Sequence, residues 1–185
     1  MKKVVLTFGL IAGTIVAVLV WVIAWLCDIN ALSIDRAEIV GYASMLIALT
    51  MIFFGIKSYR DNYSGGAISF LKGVQIGLLI SLIAGVMYFA SGWLHHVVNP
   101  SFDDRFAAKY KQNTVEKMEA KGAAKEEIEK ATTEIDQTMV MLQNPLIYFV
   151  VAMIEIMPVC IIVTLLSAAL LRRKELLPAL TEEQI

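Results

Sequence analysis

Four stretches of this chain, residues 4–26, 39–56, 70–98 and 146–171, are too long and too apolar for the interior of a small soluble domain. A helix rises about 1.5 Å per residue, so a bilayer's hydrocarbon is crossed by about 17–25 apolar residues. Each stretch meets that requirement, which predicts an all-α integral membrane protein with four spans. Composition points the same way: 58% of the 185 residues are hydrophobic and the mean hydropathy is +0.68. Soluble domains sit near half apolar. The first span follows "MKK", as a secretory signal would. Its apolar part exceeds the usual signal length and no small-x-small cleavage site follows, so a retained helix is expected.

The formal charge of −1 says nothing about nucleic acid, and there is no basic tail to bind it, so no nucleic-acid partner is expected. Membrane lipids are the expected surroundings. Cys27 and Cys160 are too few for a disulfide framework and are expected as free thiols. Orientation follows from bases near span ends. Lys2, Lys3, Lys57, Arg60, Lys72, Arg172, Arg173 and Lys174 fall on one side, against Arg36 in the short opposite loop. The bases of the long segment 99–144 alternate with acids. Both termini are therefore expected in the cytoplasm of a bacterial inner membrane, with 99–144 outside.

That segment has helical periodicity. Phe102, Phe106 and Tyr110 share a face, Gly122 interrupts, and Ile128, Ala131, Ile135 and Leu142 resume. A hairpin with arms near 102–121 and 124–142 is expected. Ser101 reads as the N-cap of the first arm, with Asp104 in a capping-box variant. Asn144–Pro145 caps and opens the last span. Arg105, Lys109, Lys111, Lys117 and Lys121 on one arm face Glu126, Glu127, Glu129, Glu134 and Asp136 on the other, which predicts pairing between arms. The hairpin is either a solvated spacer or a docking module for a protein partner.

Small residues recur every four positions in the first span (Gly9, Gly13, Ala17) and in the third (Gly73, Gly77, Ser81, Gly85). Such stripes let helix backbones approach closely in lipid. A parallel crossing of the first span against the third is expected, with a homo-oligomer seam as the other use. Between the second and third spans, Lys57, Arg60 and Lys72 with Tyr59, Tyr63 and Phe70 form a candidate anionic-lipid contact, turned by Gly65–Gly66.

The stretches "FGLIAG" (8–13), "GYASMLIALTMIFFGIKSYRDNYSGGAISFLKG" (41–73) and "EIMPV" (155–159) resemble the bacterial membrane family catalogued as domain of unknown function 4199. The resemblance spans nearly the whole chain, and its 41–73 block is specific. It implies a four-helix membrane protein with a variable helical segment before the last helix, and supplies no activity.

No HExxH, GxSxG, phosphate-loop or CxxC motif is present. His95 and His96 are adjacent on a helix and point apart, which disfavours a shared metal even with Asp103 and Asp104 nearby. Ser44, Ser81 and Ser91 have no histidine at matching depth. No enzyme, cofactor or metal centre is expected. The chemistry that remains is Glu155, about 15 Å inside the last span and three residues before Pro158. An ionised carboxylate there costs at least about 2.5 kcal/mol, so it must face protein or water. Pro158 weakens the helix around the Ile154 carbonyl. Ser44, Ser81 and Tyr88 lie at plausible depths to partner the carboxyl. Glu155 is then either a structural hydrogen-bonding group at a kink or a proton or cation site at a broken helix. The first fits an accessory or partner-binding envelope protein. The second fits a small proton- or ion-coupled transporter, acting as an oligomer because four helices enclose little path.

Overall fold

The computed structural model describes residues 1–172. Six helices make up this part: α1 (Lys2–Asp28), α2 (Ile34–Tyr63), α3 (Phe70–Val98), α4 (Pro100–Ala120), α5 (Lys125–Leu142) and α6 (Pro145–Leu171). α1, α2, α3 and α6 are long and apolar enough to cross a membrane, at 27 to 30 residues each. They run alternately up and down, so both ends of the described chain lie opposite the α4–α5 hairpin. Arg173 and Lys174, used in the orientation argument, lie outside the described residues. The thiols of Cys27 and Cys160 are free and buried.

The turn between α2 and α3 is shorter than the expected spans, ending at 56 and starting at 70, suggested. Helix α2 runs on to Tyr63, and only residues 64–69 connect it to α3. Gly65 and Gly66 make this turn at φ 61° and 77°, a left-handed conformation that a Cβ would strain. Ser69 then caps α3, accepting a hydrogen bond from the Lys72 amide.

Helices α1 and α3 cross in parallel register. Gly9 meets Ile83, Gly13 meets Met87, and Ser91 donates to the Ala17 carbonyl at 3.2 Å. Trp21 extends the seam, donating from Nε1 to Ser91 Oγ at 3.0 Å. The two small-residue stripes do not face each other, however. The glycines of α1 take the large side chains of α3, whereas those of α3 take α6: Gly73 meets Ala168, Gly77 meets Thr164 and Gly85 meets Met153. A stripe is a groove, and a groove is filled by a ridge of side chains rather than by another groove. α3 therefore packs between α1 and α6, a glycine seam on each side.

Packing is uneven along the bundle. Leu49, Ile52 and Ile56 of α2, Ile76 and Ile80 of α3, and Ile156 of α6 are fully buried. All lie in the middle or in the half away from the hairpin. In the hairpin half, no residue of α2 before Met45 is buried. α2 stands off there.

The hairpin lies against the bundle. Its start is set by Asn99, with Pro100 at the first helical position, so Ser101 is not the cap. Ser101 Oγ instead bonds Asn99 Oδ1 at 3.2 Å and accepts from Arg105 at 2.9 Å. Asn144 caps α6, accepting from the Leu146 and Ile147 amides. The expected pairing between arms is made only by Lys111 and Asp136 among the described residues. The other bases of α4 serve the bundle. Arg105 grips both Asp28 oxygens, at 2.8 and 3.0 Å. Lys109 donates to the Cys27 and Asp28 carbonyls at 2.7 and 3.2 Å. Lys117 pairs with Asp35. The C-terminus of α1 carries the negative end of its helix dipole in addition to Asp28, which favours it over the acids of α5 for Arg105 and Lys109.

Candidate functional site

Ser44, Tyr88 and Glu155 each lie ten residues from the hairpin end of their helices, about 15 Å in. Of the partners proposed for Glu155, Tyr88 is the one that reaches it: its hydroxyl donates to Glu155 Oε2 at 2.6 Å. The other oxygen, Oε1, has no donor among the described residues. Ser81 is fully buried and bonds within its own helix, donating to the Gly77 carbonyl at 2.8 Å. Helix α6 continues unbroken through Pro158, so the helix break imagined for the ion site is not there.

Glu155 and Tyr88 close the inner end of a cavity of about 430 Å³ in the hairpin half, where α2 stands off. Val16, Val20 and Ile23 of α1 line one wall, and Glu38, Tyr42 and Ser44 of α2 the other. Gly41, also on the wall, has no atom within 4 Å of where a Cβ would sit, in contrast to the wedged glycines of α3. The stripe Phe102, Phe106, Tyr110 of α4 roofs the space. Its rings stack in succession, with centroids 5.7 and 6.3 Å apart. The roof is held by Arg105 and Lys117. The Asp28 contact raises Arg105 above the ordinary arginine value, and the Asp35 contact raises Lys117 above that of lysine.

The remaining candidates disperse. His95 packs edge-on against Trp21 and Phe102, whereas His96 reaches Asp103, so the two rings serve different neighbours. Among the described residues no group of three or more His, Cys, Asp or Glu is placed to hold a metal ion. At the opposite end, Arg60 bonds Asp61 at 2.6 Å, Lys57 shares Asp61 at 3.5 Å, and Lys72 donates to Gln75 at 3.1 Å. Two of the three bases thus share Asp61, and Lys72 has a partner of its own.

Glu38, Tyr42 and the α4 roof were not foreseen as parts of a site. The usable signals were the aromatic stripe of α4 and a glycine at 41 on a helix otherwise free to bury it.

The site is thus a carboxylate with one oxygen held by a tyrosine and the other without a donor among the described residues, at the end of a roofed cavity. The fold and this site define a four-helix integral membrane protein with an extramembrane helical hairpin. A family described as "Protein of unknown function (DUF4199)" matches residues 7–173, and the chain belongs to it. No curated protein and no solved structure matches the chain.

Proposed function

We propose that this protein is a non-enzymatic membrane protein of the bacterial inner membrane that reversibly binds a positively charged species at Glu155. The excess of bases beside the span ends opposite the hairpin supports cytoplasmic termini and an external hairpin. The cavity then lies in the outer half of the bundle, beneath the α4 roof. The observation that carries the reading is the placement of Glu155, bonded by Tyr88 and exposed to a 430 Å³ cavity instead of packed in the core. A charged carboxylate at this depth costs at least about 2.5 kcal/mol, and a bound proton or cation removes that cost. Binding of this kind is the elementary step of an ion-coupled carrier.

Dicyclohexylcarbodiimide, which attacks carboxyls from within the membrane, tests the reading. The chain in lipid nanodiscs should gain one adduct at Glu155, absent in Glu155→Gln, and a competing cation should slow its formation. No adduct at Glu155, or a rate indifferent to every cation tried, contradicts the proposal.

A second reading, an accessory envelope protein that captures a protein partner, rests on α5. Its Glu126, Glu129 and Glu134 are exposed and make no ion pair among the described residues. A partner with a basic surface fits that face.

A further inference from the structure

The walls of the cavity say more about the ligand than Glu155 does alone. We infer that the cavity binds a lipophilic organic cation, a substituted ammonium or its equivalent, with its charge beside Glu155 and its apolar groups among the aromatic rings of α2 and α4. The inference rests on the cation reading above and narrows it.

Charge comes first. The lining includes two carboxylates, Glu38 and Glu155, and no lysine, arginine or histidine. The two bases of α4 that flank its lining rings are engaged elsewhere, Lys109 on the carbonyls ending α1 and Arg105 on Asp28. An anionic ligand would meet only repulsion.

Size and chemistry separate organic from inorganic cations. A bare metal cation wants a close shell of about six oxygens. This cavity offers few, dispersed along its length: Glu38 stands six residues, about 9 Å, from the level of Ser44 and Glu155. Its volume of about 430 Å³ falls within the roughly 300–1,000 Å³ of small-molecule sites. Most of its surface is carbon, from the α1 wall and the α4 roof. Tyr42, Tyr110, Phe102 and Phe106 present rings to the space, and ring faces attract substituted ammonium groups with no strongly held water to strip.

The probe is tetraphenylphosphonium, with tetraphenylborate as its charge-reversed twin and Na⁺ and K⁺ as inorganic competitors. With the full chain in nanodiscs, tetraphenylphosphonium should slow carbodiimide labelling of Glu155, and tetraphenylborate should not. Tyr42→Ala and Phe106→Ala should each raise the concentration giving half-protection by about two- to tenfold, the range of a lost aromatic contact. Gly41→Leu, which fills open space, should abolish protection while Glu155 is still labelled. Protection by Na⁺ or K⁺ without protection by tetraphenylphosphonium overturns the organic class and leaves the cation reading standing. Indifference to all cations sinks both. Equal protection in the wild type and both aromatic variants also overturns the inference.

Discussion

At Gly77 the nearest atom of Thr164 lies 2.5 Å from where a Cβ would sit, whereas Gly41 has nothing within 4 Å. Two glycines of one bundle thus do opposite jobs. Gly77 is small because α6 touches its backbone. Gly41 borders a space kept empty. Gly77→Leu should therefore lower the thermal stability of the purified chain in detergent, by about 1–3 kcal/mol or more, the usual cost of overpacking. Gly41→Leu should melt at or above the wild-type temperature, because its Cβ enters open space at the cavity wall and leucine is the better helix former. Equal losses at the two sites would mean that the hairpin half is as tightly packed as the core. Glu155 belongs to the same contrast, since its side chain is exposed while Ile156 beside it is fully buried.

At the scale of elements, α4 is a roof latched by ion pairs. Arg105→Ala with Lys117→Ala should speed amide hydrogen exchange across α4 while leaving α1 and α3 protected. Uniform exchange changes, or none, would show that the latch does not hold the hairpin. The latch has a wide pH window. Asp35, which precedes the apolar part of α2, is held below the usual carboxylate range, chiefly by the Lys117 hydrogen bond. Its contribution is present above the ordinary carboxylate value and fades as pH falls through the lowered one. Lys117 is raised, so its contribution is complete below the ordinary lysine value and fades only as pH rises through the raised one. Between about pH 5 and 10 both are charged and the Asp35–Lys117 contact should not vary. The four long apolar helices and the helical hairpin were legible in the sequence because length, apolarity and helical period are local properties, although α2 outruns the expected 39–56 at both ends. The partners of Arg105, Lys109 and Lys117 were not. A charge pattern shows that a helix can pair, and only the assembled bundle decides whether α5 or the end of α1 comes first. The same limit hid the roof: Phe102, Phe106 and Tyr110 could be seen to share a face, but not what that face covers.

For the whole molecule, the consequence is a bundle solid in one half and hollow in the other. Between helices in lipid, cohesion comes from close packing and hydrogen bonds, not from excluding water. The core around Ile52, Ile80 and Ile156 and the glycine seams supply that packing, so α2 can stand off near the hairpin without loss of the fold. No residue pattern announces such a void, because it is set by where two helices part. The central claim is that this void admits a cation from the hairpin side to the level of Glu155. The most direct measurement is thiol accessibility in cells, in a Cys27→Ala, Cys160→Ala background, with a membrane-impermeant trimethylammonium methanethiosulfonate. Ser44→Cys, on the cavity wall at the depth of Glu155, should be modified from outside, and Ser81→Cys, fully buried, should not. An unreactive Ser44→Cys in a chain that otherwise folds and inserts normally would contradict the account.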